Sequence, residues 1–534
     1  MKHIFREPLQ HLVEYDELKT SMQKSRGPLQ VGGCLESQKA HLLGALMDQV
    51  GCGCHLVVTY SEKRAKELSE DLALFAENVW LYPAKDMLFY AADVQGSVTA
   101  KARLSVVRQL AEYREKVKET KMAAMRPGQP AGKLPHLTVV TTIDGLMDHL
   151  QPMEDMVQRT LIIEVGQEVD SDELAKDLTR MGYERVAQVD NAGQFSMRGG
   201  IVDIFSLTEE LPVRMEFFGD EVDSIRSFDP ESQRSIENLE EVTVYPATDS
   251  ITALDGTVSF LDYFPKEDTD IYLDEPSRLA EKAQITETEF RESMTNRLEK
   301  GLTLGGGVWG NEEEDTVMDL FPAEAIFGAL ERGRTLCLSA LDQAVRELSV
   351  KKRYTFMVQN ANSYQNSFDT LIQDLKSWKR NGYKVVLMCA SRTRASRLAG
   401  DLREYDLRAY YRSDEDEDRP VMPGEICVAY GSLHRGFEYP LIKYVVITES
   451  EIFGKEVRKR RKKTRYEGQK IHSFTELSVG DYVVHENHGL GIYRGIEKVE
   501  VDKVVKDYIK IEYADTGKLY LPVTQLSLVQ KYSG

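Results

Sequence analysis

Residues Arg198 to Asp229 read RGGIVDIFSLTEELPVRMEFFGDEVDSIRSFD. Two alternating runs, Ile201 to Phe205 and Val213 to Phe218, flank a polar turn, and Gly219-Asp220 supplies the next tight-turn signal. The pattern predicts paired antiparallel strands that bury one face and display chosen charges on the other. A hairpin whose glycines only turn the chain is the plainer alternative. The wording is more particular than that: an arginine and two glycines lead into the first strand, and Phe217-Phe218-Gly219-Asp220-Glu221 continues to Asp223-Ser224-Ile225-Arg226 and Phe228-Asp229.

The stretch lies in a chain of 534 residues, too long for one core and sized for roughly three to five domains. With 42% hydrophobic and 29% charged residues the composition is that of a globular protein. No apolar run approaches the length of about 18 residues that suggests a membrane span, and MKHIFREPLQ has no signal-peptide core, so a cytoplasmic location is expected. A net charge of -19 excludes a nucleic-acid coat over the whole surface, so contact with phosphates must be local. The six cysteines lack framework spacing and suit a reducing compartment. Cys52-Gly53-Cys54-His55 is their one cluster; it lacks a second ligand pair and the gap usual in structural zinc sites, so no metal is expected.

Strand and helix patterns alternate from Leu29 to Leu150: strands at Leu29 to Gly33, His55 to Tyr60, Trp80 to Tyr82 and Leu137 to Thr142, with helices between them. Lys121 to Pro135, rich in Pro, Gly, Ala and Met, interrupts this as a surface loop. From about Met156 the grammar becomes α+β, with a strand at Leu161 to Val165, a helix at Ser171 to Met181, and then the hairpin system. A further α/β unit spans about Tyr354 to Phe453, with strands at Lys384 to Met388, Glu425 to Ala429 and Tyr444 to Ile447. The charge then switches abruptly at Lys455 to Arg465, KEVRKRRKKTR, before a strand-rich end.

A phosphate-cradling loop needs glycines that admit close backbone approach, a lysine for the terminal phosphates and a Ser or Thr hydroxyl for Mg²⁺. GCLESQKA, Gly33 to Ala40, follows a strand and precedes a helix, and keeps Gly33 and Lys39 in register. Gln38 replaces the second glycine and Ala40 the Mg²⁺ ligand, so the loop reads as vestigial and no cofactor is expected on this chain. The first α/β unit shows no acidic metal-binding motif after a strand, since Val139 to Thr142 runs into Thr-Ile. No catalytic residue is assigned.

The Arg198 to Asp229 stretch resembles the damage-recognition module shared by the excinuclease component UvrB and the transcription-repair coupling factors. UvrB would carry an intact phosphate loop and a long aromatic hairpin that wedges into DNA; the loop here is degenerate, and Leu81 to Ala100 is too short and too poor in aromatic repeats. That points to the coupling factors. The end of the chain, VGDYVVHENHGLGIYRGIEKVEVDKVVKDYIKIEYADTGKLYLPVTQLSLVQKYSG, Val479 to Gly534, resembles the RNA-polymerase-interacting domain that coupling factors share with CarD-like regulators. Val483, Val484, Tyr493, Ile509, Ile511 and Tyr513 alternate as barrel-wall residues, while His485 and His488 flank a turn. A turn role for that histidine pair is preferred to metal binding.

The implied fold is multidomain α/β and α+β: a degenerate P-loop-type parallel sheet with an inserted α+β domain, a second α/β domain and a small C-terminal SH3/Tudor-like β-barrel. The expected divisions are 1-154 and 248-352 for the UvrB-like module, 155-247 for the inserted UvrA-binding domain, 353-454 for the second α/β domain, 455-476 for a basic linker and 477-534 for the polymerase-interacting domain. The resemblance implies UvrA contact through Arg185, Phe195 and Arg198. It also implies pairing with the RNA polymerase β subunit along Ile496 to Val501, where Ile496, Lys498 and Val499 are the candidate contacts. Arg458, Lys459, Arg460, Arg461, Lys462 and Lys463 could track double-stranded DNA or simply form a solvated tether. ATP, Mg and DNA translocation belong, by resemblance, to motor domains expected after Gly534, which leaves this chain an adaptor without catalysis. The rivals are a UvrB-type damage-verifying ATPase and a CarD-like regulator with no repair role.

Overall fold

The structure, a computed structural model, describes residues 2–24, 27–85, 97–124, 134–247, 256–299, 320–341, 343–364, 367–413, 419–454, 468–470, 479–485, 489–501, 504–513, 518–522 and 529–532. The chain divides into two compact units, one built from residues 1–85, 100–300 and 316–456, the other from 86–99, 301–315 and 457–534. Among the described residues no helix is long and apolar enough to cross a membrane.

The first unit is organised on a seven-stranded sheet ordered Lys352–Thr355, Leu29–Gly32, Arg334–Leu338, Thr269–Asp274, Cys54–Thr59, Leu137–Thr142, Val79–Tyr82. Every neighbouring pair is parallel. Its central strands are buried at every position, which is why they read as continuous apolar runs rather than alternating ones. The chain leaves this sheet after Thr142 and returns at Thr269, so the intervening α+β segment is an insertion. Two helices, Lys2–Leu9 and Val13–Lys24, precede the first strand. The helix Ser97–Ala124 takes up the start of the predicted surface loop Lys121 to Pro135.

Within the insertion, six strands lie in the order Ser235–Leu239, Glu221–Phe228, Val213–Phe218, Ile201–Phe205, Gln194–Arg198, Glu184–Arg185. All pairs are antiparallel except the last. Val202, Ile204, Val213, Met215, Val222 and Ile225 face one way, and Leu174 and Leu178 of the helix Ser171–Arg180 close the same core. Glu221 pairs with Phe218 across Gly219-Asp220, the turn predicted from sequence, and Gly219 takes φ +68°, which glycine alone adopts without steric cost.

The second α/β sheet is larger than its sequence signal. Its order is Gln359–Asn360, Phe437–Tyr439, Tyr444–Thr448, Lys384–Cys389, Ile426–Tyr430, Ala409–Tyr411. The three predicted strands are present; the others are three residues or fewer, too short for a visible period. This sheet shares a core with the first, since Met388, Ala429, Tyr439 and Val446 pack in one cluster with Leu42, Leu43 and Leu46 of the helix Glu36–Met47. Polar contacts reinforce the seam: Lys384 Nζ lies 2.8 Å from Glu7 Oε1, and His434 Nδ1 lies 2.9 Å from Asp71 Oδ1.

The second unit contains a sheet ordered Gly468–Lys470, Val529–Tyr532, Tyr482–His485, Gly489–Val501, Val504–Glu512, Lys518–Pro522, antiparallel throughout. Of the six predicted wall residues Val483, Tyr493, Ile509 and Ile511 are buried, together with Leu519, while Tyr513 is half-buried and the Val484 side chain lies outside the described residues. Gly468–Lys470, which falls inside the expected linker 455-476, pairs with Val529–Tyr532; the rest of that linker lies outside the described residues.

The seam predicts a pH dependence. The hydrogen bond to Asp71, aided by Glu70 and Glu67 and opposed by burial, holds His434 above its ordinary value of 6.5. A raised folded-state value means the contribution is complete below pH 6.5 and is lost as pH rises through the raised value. His434→Gln should therefore destabilise the chain at pH 6 more than at pH 9, read as the difference in Tm from wild type. A constant difference across that range would contradict the assignment.

Candidate functional site

The segment Gly33 to Ala40 stands where a phosphate cradle would stand, running from the end of the strand Leu29–Gly32 into the start of the helix Glu36–Met47. Its atoms are used internally. Gly33 sits at φ +77°, and a Cβ there would collide with the carbonyl oxygen of Phe356, so backbone packing explains the glycine. Lys39 is buried, its Nζ 2.6 Å from Asp274 Oδ1 and 2.5 Å from Glu275 Oε1. Asp274 Oδ2 also accepts from Thr59 Oγ1 at 2.9 Å and Arg64 Nε at 3.1 Å. Burial alone would push Lys39 down and Asp274 up; the ion pairs outweigh it, so the lysine is held above and the carboxyl below its ordinary range. Gln38 donates to the Tyr439 hydroxyl at 2.7 Å, and Ala40 is buried.

This corrects one sequence expectation. An acidic pair does follow a strand of this sheet: Asp274-Glu275 ends Thr269–Asp274, but the insertion carries it 235 residues from Lys39 along the chain. The Cys52 to His55 cluster is core. Burial pushes Cys52 and Cys54 up to about 12 and His55 down to about 3, and no group of three or more His, Cys, Asp or Glu suited to a metal ion occurs among the described residues.

In the inserted domain the charges converge on Asp203, which is fully buried. Arg214 binds it in bidentate fashion, Nε to Oδ1 at 2.7 Å and Nη2 to Oδ2 at 2.9 Å, while Arg198 Nη2 reaches Oδ2 at 2.8 Å. The carboxylate thus fixes Arg198, whose side chain remains 47% exposed. Arg185 is exposed on the strand Glu184–Arg185. Phe195 is corrected: it is fully buried among Leu178, Val202 and Met215, and has no face to offer a partner. The exposed aromatic is instead Phe218, 83% accessible beside the Gly219 turn. The doublet Phe217-Phe218 was the available signal, since alternation lets only one of two adjacent residues face the core.

In the C-terminal sheet, Ile496, Lys498 and Val499 lie on the long strand Gly489–Val501, in register with Ile509, Asp507 and Lys506 of Val504–Glu512. On the opposite edge Tyr482–His485 reaches only Gly489 to Ile492, and Tyr493 bonds to Gly480 and Asp481. A bulge falls between Tyr493 and Gly495, and beyond it no strand among the described residues pairs with that edge. His485 ends a strand; His488 and the basic residues Arg458, Lys459, Arg460, Arg461, Lys462 and Lys463 lie outside the described residues.

Two family matches coincide with these modules: the UvrB interaction domain over residues 161–249 and the CarD-like/TRCF RID domain over residues 477–533. Over 90% of its length the chain is 30% identical to the transcription-repair-coupling factor of Bacillus subtilis (strain 168). It is 28% identical over 89% of its length to those of Staphylococcus haemolyticus (strain JCSC1435) and Staphylococcus aureus (strain MRSA252). Along nearly all of its length the chain is similar to part of the transcription-repair-coupling factors. It spans 43% of the length of each of these relatives.

Neither matched domain includes the Gly33 to Ala40 segment, and its lysine has an internal structural duty. Lys39→Met should cost about 3 kcal/mol in chemical denaturation, because it removes one charge of a buried pair. Lys39→Met with Asp274→Leu and Arg64→Leu, which removes the buried partners together and leaves the part-exposed Glu275, should recover part of that loss. A change below about 0.5 kcal/mol for Lys39→Met, typical of a solvated surface site, would contradict the internal role.

Proposed function

We propose that the chain is the adaptor portion of a coupling factor, joining stalled RNA polymerase to UvrA for nucleotide excision repair of the transcribed strand. The observation that carries this reading is the pairing, in one chain, of a UvrB interaction domain that displays Arg198 and Phe218 with a RID domain whose long strand has a backbone edge that no strand among the described residues pairs with. An open edge suits strand addition by the polymerase β subunit, in which main-chain hydrogen bonds supply affinity and alternate side chains supply register. In this reading the C-terminal sheet curls into a small SH3/Tudor-like barrel, and the Lys455 to Arg465 run contacts duplex DNA upstream of the polymerase.

The first sheet is read as a vestigial P-loop fold without ATP or Mg²⁺, since Lys39 is neutralised by Asp274 and Glu275. ATP-driven translocation belongs to other parts of the whole protein, and the setting is the cytoplasm. A UvrB-type ATPase would need that lysine for phosphates, and a CarD-like regulator would have no use for the domain at 161–249.

Binding assays with purified UvrA and polymerase test the division of labour. Arg198→Ala and Phe218→Ala should each weaken UvrA binding by about 1–2 kcal/mol and leave polymerase binding unchanged. Arg214 keeps Asp203 paired in the first variant, so the fold survives. Val499→Arg should abolish polymerase binding and spare UvrA, because a charge on the pairing edge must be desolvated. Unchanged polymerase affinity in a folded Val499→Arg variant would reject this edge; unaltered UvrA affinity in both other variants would reject that face.

A further inference from the structure

The residue that replaces the second loop glycine is not idle. Gln38, His41 and Tyr439 are all buried, and their polar atoms form a closed set. The backbone N–H of Leu35 donates to Gln38 Oε1 at 3.1 Å, which fixes the amide orientation and aims Nε2 at the Tyr439 hydroxyl, 2.7 Å away. His41 Nε2 lies 2.6 Å from the carbonyl oxygen of Phe5, and since a carbonyl only accepts, that nitrogen carries the hydrogen. Burial holds His41 down to about 4, so its ring is neutral and Nδ1 is an acceptor. The Tyr439 hydroxyl therefore accepts from Gln38 and donates to His41 Nδ1 at 3.1 Å.

The network joins three structural elements. Gln38 and His41 sit on the helix that follows the loop, Tyr439 is on a strand of the second sheet, and Phe5 lies on the N-terminal helix. The surrounding contacts run the same way. Phe437 stacks on His41 with centroids 5.0 Å apart, the Arg435 N–H donates to Ser37 Oγ at 3.0 Å, and the Tyr444 hydroxyl donates to the carbonyl oxygen of Ile4 at 3.2 Å. In a working phosphate loop a glycine here would leave this face of the helix open; the glutamine instead reaches across it.

We propose that the degenerate loop and its helix act as a bolt, with the Gln38–Tyr439–His41 hydrogen bonds locking the two α/β sheets into one body that does not open and close. A site kept for nucleotide-driven motion would need a seam that parts; this seam is closed by buried, mutually satisfied polar groups, which are costly to separate one at a time. The inference rests on this geometry and does not depend on which partners the chain binds.

Hydrogen exchange of the full chain, followed by mass spectrometry in increasing sub-denaturing urea, tests it. In wild type the amides of Glu36–Met47 and Tyr444–Thr448 should open together, with the same urea dependence. Tyr439→Phe removes a single oxygen and should raise exchange about tenfold in both segments, while Val213–Phe218 of the inserted domain is unaffected. Gln38→Leu, which removes the donor to the same hydroxyl, should raise exchange in the same two segments. Independent opening of the two segments in wild type, or a Tyr439→Phe effect confined to one of them, would overturn the bolt.

Discussion

A buried ammonium must have an anion, and the anion that Lys39 has is part of the protein. Asp274 binds it from a strand end 235 residues away, and the same carboxylate holds Arg64 and Thr59. The pair forms only when the chain, after the long insertion, re-enters the sheet in register beside Cys54–Thr59. Lysine, carboxylate and arginine together therefore certify that both halves of the parallel sheet are assembled. The desolvation each charge suffers is offset only while the others are in place. A phosphate group arriving at this loop would have to break that arrangement before it could use the lysine.

The same device recurs where the chain meets the outside. Asp203, fully buried, anchors Arg214 and holds Arg198 at the surface of the inserted domain; Asp71, also buried, fixes His434 at the seam. In each case a carboxylate without solvent orients cations that would otherwise sample many rotamers. Preorganised arginines suit an interface, because less side-chain entropy remains to be lost on binding. The C-terminal module works differently: its resource is main chain, an edge past the bulge at Tyr493 and Gly495 that no strand among the described residues pairs with.

Much of this was legible in the sequence for physical reasons. The hairpin at Ile201 to Phe218 was visible because one face is buried and the other wet, which imposes a period of two. Gln38 and Ala40 stood out in the sequence, since backbone approach and metal ligation at a phosphate cradle demand other residues there. The partner of Lys39 was hidden by sequence distance, and the short strands of the second sheet by their length. Phe195 was misplaced because a contact implied by resemblance outweighed the strand alternation, which buries it and leaves Phe218 outside. The shared core of the two α/β sheets was invisible for another reason: Gln38 and Tyr439 are ordinary residues until the fold brings them together.

The most direct measurement is a calorimetric titration of the purified chain with Mg-ATP at neutral pH. The account predicts no saturable heat up to millimolar nucleotide, because the lysine and the acidic pair that would serve ATP and Mg²⁺ already neutralise one another. Saturable binding that Lys39→Met abolishes would contradict it, showing that the loop still receives phosphates and that the internal pairing yields to them.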